Sequence, residues 1–152
     1  MNASFPPRRI LVPHDFSDQS RKALTYAVQM ALEVSASVVV LHVGPPIPTF
    51  AYPLPEATAL QTAQWTETLR ERQESARLAL QEEIQPWVDR VEFATQFEEG
   101  EATDAIVRVL QETGCDLIVM GSHGWTGLRR AIIGSVAEKT ARRAQAPVLI
   151  VH

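Results

Sequence analysis

The sequence predicts an α/β fold in which a parallel β-sheet lies between two layers of helices. Short aliphatic segments alternate along the chain with stretches whose apolar residues recur every three or four positions. That alternation is typical of parallel strands joined by right-handed helical crossovers. The segment Ser37 to Val43 is almost continuously apolar, as expected of a strand covered on both faces. Together these observations predict a three-layer sandwich.

The N-terminal part contains two strands with a helix between them. Arg9 to Pro13 is an aliphatic run that ends at a proline, which predicts a buried strand. A helix is predicted from about Asp18 to Val34, and either Ser17 or Asp18 can cap it. Ser37 to Val43 is the second strand.

The middle of the chain is less regular. The segment Gly44 to Pro55 holds five of the ten prolines, so it cannot form a regular helix or a central strand. A long helix is predicted from about Leu60 to Ile84. Val91 to Phe97 alternates apolar and polar residues, which indicates a less buried third strand at an edge of the sheet.

The C-terminal part completes the alternation. A helix with apolar residues from Ala102 to Leu110 is ended by Gly114. Asp116 to Gly121 is the fourth strand. The last helix is predicted near Gly134 to Ala144, and Pro147 to Val151 is the fifth strand.

Length and composition limit the class of protein. A chain of 152 residues fits a single domain spanning residues 1–152. Its 45% hydrophobic and 21% charged residues exclude a disordered or collagenous chain. The single cysteine, Cys115, excludes an internal disulfide and a multi-cysteine zinc site. We expect a cytoplasmic protein without membrane contact, because no apolar run approaches the ~18 residues of a membrane span and no signal-peptide core is present.

Charge is spread unevenly over the chain. The net charge is −4, and acidic residues dominate from Glu56 to Glu101. Cations outnumber acids from Cys115 onwards: Arg129, Arg130, Lys139, Arg142 and Arg143. An acidic protein with a cationic C-terminal quarter suits a small anionic ligand better than a nucleic-acid duplex.

A glycine-containing loop after the fourth strand has the features of a phosphate site. Gly121 and Gly124 follow the strand, and Gly134 and Ser135 open the next helix. Glycines let backbone N–H groups approach an anion, and a helix N-terminus adds aligned donors with partial positive charge. Ser135 can cap that helix and donate its hydroxyl to a phosphate oxygen. The pattern differs from the Walker and dinucleotide fingerprints.

These residues resemble a known family. The spacing G-x2-G-x9-G-S from Gly121 to Ser135 is similar to the nucleotide-binding signature of the universal stress protein family. The segments Ile10–Ser17, Leu41–Val43 and Pro147–Val151 resemble the family as well. The resemblance covers essentially the whole chain, from about Arg8 to Val151.

The resemblance implies an architecture and a ligand. Members have a Rossmann-like, five-stranded sheet in the order 3-2-1-4-5 and form homodimers through the last strand, here Val148, Leu149, Ile150 and Val151. Members with this signature bind ATP, so the expected ligand is an adenine nucleotide (ATP, ADP or AMP), with or without Mg²⁺. Carried over by position, the expected nucleotide-binding residues are Pro13, His14, Asp15, Val43, Met120, Gly121, His123, Gly124, Gly134, Ser135 and Val136.

Three histidines lie at or near strand ends. We expect the His14 ring to contact the ligand and, through its charge, to strengthen the binding of phosphates at acid pH. His42 lies within an apolar strand and is expected to be a hydrogen-bonded core histidine. His123 is expected to bind ligand without acting as a catalytic base. No HxxxH pair is present, so no metal site is predicted.

Three functional hypotheses remain open. The first is a nucleotide-binding regulatory protein of the stress-response type. The second is a slow ATPase or self-phosphorylating enzyme that uses Ser135 or a loop serine such as Ser122. The third is a dimeric scaffold without nucleotide. The sequence holds no nucleophile elbow, paired-carboxylate motif or kinase signature, so catalysis is not predicted; the intact glycines favour the first hypothesis over the third.

Overall fold

The computed structural model describes residues 5–45, 57–123 and 133–152, without the side chains of residues 57–62 and 65. Strands and helices alternate in the predicted order. They are β1 (Arg9–Pro13), α1 (Asp18–Val34), β2 (Ser37–Gly44), α2 (Ala57–Ile84), β3 (Phe93–Glu99), α3 (Ala102–Thr113), β4 (Leu117–Gly121), α4 (Ser135–Arg143) and β5 (Val148–Val151). A single turn of 3-10 helix, Gln85–Trp87, follows α2.

The five strands form one parallel sheet in the order β3-β2-β1-β4-β5. β1 lies at the centre, where Leu11 pairs with Val39 of β2 on one side and with Ile118 of β4 on the other. The chain builds outward from β1 to β3, then crosses back to add β4 and β5. The predicted fold class and strand order are confirmed, and the order reverses between β1 and β4.

Element boundaries agree closely with the prediction except at the third strand. The sequence predicts Val91 to Phe97, whereas β3 spans Phe93–Glu99. Val91 is buried, but its N–H donates to the Trp87 carbonyl at 3.0 Å, which closes the turn after α2 instead of pairing in the sheet. The predicted edge position of this strand is confirmed.

Local hydrogen bonds fix the helix ends. Ser17, not Asp18, is the N-cap of α1, and its hydroxyl accepts from the Ser20 N–H at 3.2 Å. Glu101 caps α3 by accepting from the Asp104 N–H at 2.8 Å. α3 ends as predicted at Gly114, whose φ of 66° is the left-handed conformation that glycine adopts without a steric cost.

Each face of the sheet has its own apolar core. Side chains of successive strand residues point to opposite faces. Val12, Val40 and Leu80 belong to the core beneath α1 and α2, whereas Leu11 and Ile106 belong to the core beneath α3 and α4. Within the described residues, no helix has the length and apolar character needed to cross a membrane.

Leu80 attaches α2 to the sheet, and its loss should destabilise the protein. The side chain is fully buried, so Leu80→Ala should lower the free energy of unfolding by about 2–5 kcal/mol through lost burial and a residual cavity. Leu78 lies on the same helix but is 53% exposed. Leu78→Ala should change the free energy by no more than about 0.5 kcal/mol. Urea denaturation of both variants measures the difference; equal effects would contradict the packing described.

Candidate functional site

A cavity of about 660 Å³ opens at the carboxyl ends of β1 and β4, where the strand order reverses. This is the position at which open parallel sheets bind their ligands, and its size is typical of small-molecule sites. Nearly all of the residues predicted for the site line it: Pro13, His14, Asp15, Val43, Met120, Gly121, His123, Gly134, Ser135 and Val136. Gly124, the remaining one, lies outside the described residues.

The cavity wall also contains residues that the sequence does not predict. These are Ser20, Leu41, Ala102, Ile106, Ser122, Ile133, Ala137 and Glu138. Ala102 and Ile106 lie one helical turn apart on the apolar face of α3. This spacing is equally typical of helix residues that pack in the core, so the sequence does not distinguish them as cavity residues. The wall is therefore apolar on the α3 side, while polar groups come from the strand ends and from α4.

Asp15 occupies a tightly constrained turn between β1 and α1. Its carboxylate oxygen Oδ1 accepts from the Ser17 N–H at 3.0 Å and from the Ser17 hydroxyl at 2.5 Å. This Asx-type contact fixes the carboxylate before any ligand arrives. Because Ser17 caps α1, helix capping does not account for Asp15, and the carboxylate is held at the wall of the cavity.

The expectation that the His14 ring contacts the ligand stays a prediction, because the residue lines the cavity while both of its ring nitrogens face groups of the protein. Its Nδ1 accepts from the Phe16 N–H at 3.3 Å, and its Nε2 lies 2.9 Å from Glu83 Oε2 on α2. His14 therefore borders the cavity while its ring nitrogens are engaged within the protein.

The other two histidines have different surroundings. His42 donates from Nδ1 to the His14 carbonyl at 2.9 Å and packs against Phe16 and Phe97. It is hydrogen-bonded as expected, but it is half-buried and lies beside the core, not within it. His123 Nδ1 lies 3.0 Å from the Ser122 hydroxyl oxygen, and both residues line the cavity. Within the described part of the chain, no group of three or more His, Cys, Asp or Glu side chains is arranged to hold a metal ion.

The two described glycines of the motif are required by close packing. A Cβ on Gly121 would lie 2.9 Å from backbone and side-chain carbons of Gln19, because α1 passes directly over the end of β4. A Cβ on Gly134 would lie 2.9 Å from the Ser122 carbonyl oxygen, which accepts from the Gly134 N–H at 2.7 Å. The first contact brings α1 against the end of β4, and the second brings the start of α4 against the residue that follows β4.

The first turn of α4 forms part of the cavity wall and contributes backbone N–H groups to it. Gly134 is its N-cap and provides no side-chain hydrogen bond, so the prediction that Ser135 caps this helix is wrong; Ser135 is its first residue. The first N–H groups of a helix lack partners within the helix and carry partial positive charge. Ser135, Val136 and Ala137 all line the cavity, so this wall offers N–H donors to it; Glu138 of the same turn also lines the cavity and pairs with Arg142.

The described cations of α4 do not contribute directly to this wall. Arg142 pairs with Glu138 at 3.0 Å, and Arg143 pairs with Asp104 of α3 at 2.7 Å. Arg129 and Arg130, two of the cations of the C-terminal quarter, lie outside the described residues.

Comparison with known proteins identifies the family. The family model described as the universal stress protein family matches residues 6–152. The chain therefore belongs to the universal stress protein family. Universal stress protein MJ0531 of Methanocaldococcus jannaschii is 33% identical over 144 residues, covering 95% of this chain and 81% of that protein.

Solved structures of the same family share the fold. The universal stress protein UspA of Lactobacillus plantarum superposes with a TM-score of 0.79 at 26% identity, covering 95% of this chain and 97% of that one. A universal stress protein crystallised in complex with cAMP has a TM-score of 0.59 at 26% identity, covering 96% and 97% of the two chains.

A side chain at Gly121 should lower the stability of the protein. The Cβ of Gly121→Ala would push α1 away from β4, and overpacking of this kind costs about 1–3 kcal/mol of stability. Gly44, at the end of β2, offers a matched control, because its added Cβ would meet nothing closer than 3.8 Å. Gly44→Ala should change the free energy of unfolding by less than about 0.5 kcal/mol. Thermal and urea denaturation distinguish the two; a neutral Gly121→Ala would contradict the close approach of α1.

Proposed function

We propose that this protein binds an adenine nucleotide, with ATP as the principal ligand, in the cavity between β1 and β4. The observation that carries the proposal is the convergence of an apolar pocket, a fixed carboxylate and a helix N-terminus without a side-chain cap within one cavity of about 660 Å³. A nucleotide needs these three features: a surface for its base, an acceptor for its hydroxyl or amino groups, and N–H donors for its phosphates.

The polarity of the wall suggests the orientation of the ligand. Leu41, Ala102 and Ile106 offer apolar surface for a base, and Val43 borders the same region. Asp15, fixed by Ser17, can accept from a ribose hydroxyl or from the base. The phosphates then extend toward Gly134 and the first turn of α4. The structural relative solved with cAMP supports an adenine nucleotide as the class of ligand.

The proposal is tested first on the protein as purified. Native mass spectrometry should detect an adenine nucleotide bound to the freshly isolated chain, and calorimetry of nucleotide-free protein should give a defined affinity for ATP with and without Mg²⁺. Titrations with ADP and AMP then show how much the γ- and β-phosphates each contribute to the affinity. If no adenine nucleotide binds under any of these conditions, the third hypothesis, a nucleotide-free scaffold, replaces this one.

Gly134→Val should weaken ATP binding at least about tenfold, which corresponds to roughly 1.4 kcal/mol. The added side chain collides with the Ser122 carbonyl and displaces the N-terminus of α4 from its place beside the phosphates. Calorimetry measures the affinity, and circular dichroism verifies the fold. Gly44→Ala serves as a control for glycine replacement outside the cavity. Unchanged ATP affinity in a folded Gly134→Val protein would exclude the proposed phosphate position.

Slow phosphoryl transfer is a second candidate activity, favoured by the contact between Ser122 and His123. With Nδ1 3.0 Å from the hydroxyl, the imidazole can take the serine proton while the hydroxyl oxygen attacks the γ-phosphorus and ADP leaves. Positioning supplies most of the catalysis in such reactions. Incubation with γ-labelled ATP should then label the wild type but not Ser122→Ala, whereas a protein that only binds nucleotide stays unlabelled.

We also propose that two copies assemble through β5. This strand lies at an open edge of the sheet, and Leu149 on it is 37% exposed. An apolar hollow of about 340 Å³ beside the strand is lined by Phe5, Met30, Leu117 and Leu149, among others. Pairing of two β5 strands about a two-fold axis would satisfy both edges and cover this apolar surface.

Leu149→Lys should shift the assembly from dimer to monomer, because it buries a charge at the proposed interface. Size-exclusion chromatography with light scattering at micromolar concentrations measures the mass. Leu78→Lys, a change at an exposed leucine on α2, should leave the mass of the wild type unchanged. A monomeric wild type would contradict the proposed dimer.

Membership of the universal stress protein family fits a role in the response to stress. We propose that residues 1–152 form one nucleotide-binding domain whose loading with ATP regulates a partner in the cytoplasm. Affinity capture of the protein with and without bound ATP tests this role: partners should differ between the two states.

A further inference from the structure

We propose that His14 is a positioning residue for the nucleotide site: its neutral ring holds the turn that presents Asp15, and protonation of the ring releases that turn. This inference rests on the proposed nucleotide binding and adds a pH dependence to it. The expected sign is opposite to that of a direct attraction between an imidazolium and phosphates, since affinity should fall as the solution becomes acid.

The neighbours of His14 define its tautomer. The side chain is completely buried. Nδ1 accepts from the Phe16 N–H, so Nδ1 carries the lone pair. Nε2 lies 2.9 Å from Glu83 Oε2, where a second lone pair would repel the carboxylate, so Nε2 carries the hydrogen. The Nε2 contact is electrostatic and is not a well-aligned hydrogen bond. The neutral Nε2–H form therefore matches the groups on both sides of the ring, with a lone pair toward the Phe16 N–H and a hydrogen toward the Glu83 carboxylate.

Glu83 is held in place from a third element. Its other oxygen, Oε1, accepts from Arg21 Nε of α1 at 2.9 Å, and Arg21 also contacts Asp18 at 3.4 Å. One carboxylate of α2 thus faces both α1 and the ring at the end of β1. This shared contact fixes the orientation of the ring, and with it the direction of the Nδ1 lone pair.

The turn that follows His14 depends on acceptors from side chains. Phe16 has a φ of 64°, a left-handed conformation that is unfavourable for an aromatic residue. Its N–H is bound by His14, and its ring packs edge-on against the His14 ring at a centroid distance of 5.1 Å. Asp15 accepts the N–H of Ser17 in the same way. Two consecutive side chains therefore bind the N–H two residues further on, and both shape the turn that carries Asp15.

Protonation would replace the acceptor in this turn by a donor. An added proton at Nδ1 faces the Phe16 N–H, so the hydrogen bond is lost and the turn has to rearrange. The charged groups around the ring are Glu83 of α2, Asp15 of the turn, Arg21 of α1 and His42 of β2. Burial lowers the pKa of His14 from the ordinary 6.5, Glu83 and Asp15 oppose this shift, and Arg21 and His42 add to it. The neutral form is therefore the resident one at neutral pH.

Two variants of His14 test the roles of Nδ1 and Nε2 separately. Asparagine can bind the backbone N–H two residues further on, as Asn does in Asx turns, and it does not titrate. Glutamine reaches toward Glu83 but places no acceptor at the position of Nδ1. We expect His14→Asn to retain the affinity of the wild type at about pH 8 and to keep it on acidification, and His14→Gln to lose about fivefold at both pH values.

The decisive measurement is affinity for adenosine and for ATP at about pH 8 and at an acid pH at which ¹⁵N NMR shows the His14 ring protonated in the folded protein, because burial lowers its pKa below the ordinary 6.5. Relative to His14→Asn, the wild type should lose about fivefold on acidification with both ligands. Adenosine has no phosphate, so attraction of an imidazolium to phosphate cannot affect its result. His152→Asn, which removes an exposed terminal histidine, should keep the profile of the wild type.

The contrary outcomes are distinct. Equal pH profiles of wild type and His14→Asn would overturn the positioning role, and tighter ATP binding by the wild type at acid pH would restore direct charge attraction.

If no nucleotide binds at either pH, the proposed function fails, and ¹⁵N NMR of the free wild type tests the positioning role on its own. There, His14 should be the Nε2–H tautomer at neutral pH, and the Phe16 amide should lose protection from hydrogen exchange as His14 titrates. A Nδ1–H tautomer, or protection unchanged by the titration, would overturn the inference.

Discussion

A parallel sheet with helices packed on both faces leaves room for polar side chains mainly at the ends of its strands. In this protein the central residues Val12, Val40 and Val119 are completely buried, because neither face of the sheet meets water. Strict alternation then decides which helix layer each residue at the strand end faces. Just beyond β1, Asp15 lies at the wall of the cavity with its carboxylate bound to Ser17. Its neighbour His14 directs one ring nitrogen at Glu83 of α2.

The proposed site would let an acidic chain bind an anion without free cations. On that proposal the wall at the start of α4 relies on backbone N–H groups, since the described arginines of that helix are already paired with Glu138 and Asp104. Backbone donors are fixed by the helix itself, so their orientation requires no ordering of flexible side chains. Packing of Gly134 against the Ser122 carbonyl fixes the position of the N-terminus of α4 relative to the end of β4.

The sequence predicts the order and type of every strand and helix, since periodicity and Gly or Ser at helix ends are local signals. α1 has the bounds predicted for it, although the sequence left Ser17 and Asp18 open as its cap and the structure assigns that role to Ser17. Strand order is not local: periodicity does not distinguish 3-2-1-4-5 from other orders, and the family resemblance supplied it. Likewise, the motif predicts Gly121 and Gly134 as cavity residues. It does not reveal the partner of His14, because Glu83 lies far along the chain in a helix whose register on the sheet depends on Leu80.

The tie between β4 and β5 connects the edge of the sheet to the cavity. The Ser122 N–H donates to the Val151 carbonyl at 2.8 Å, so the loop that leaves β4 is anchored by β5. The Ser122 carbonyl in turn accepts from the Gly134 N–H at 2.7 Å. A displacement of β5 at the edge of the sheet would therefore pass through two hydrogen bonds to the start of α4, which forms one wall of the cavity.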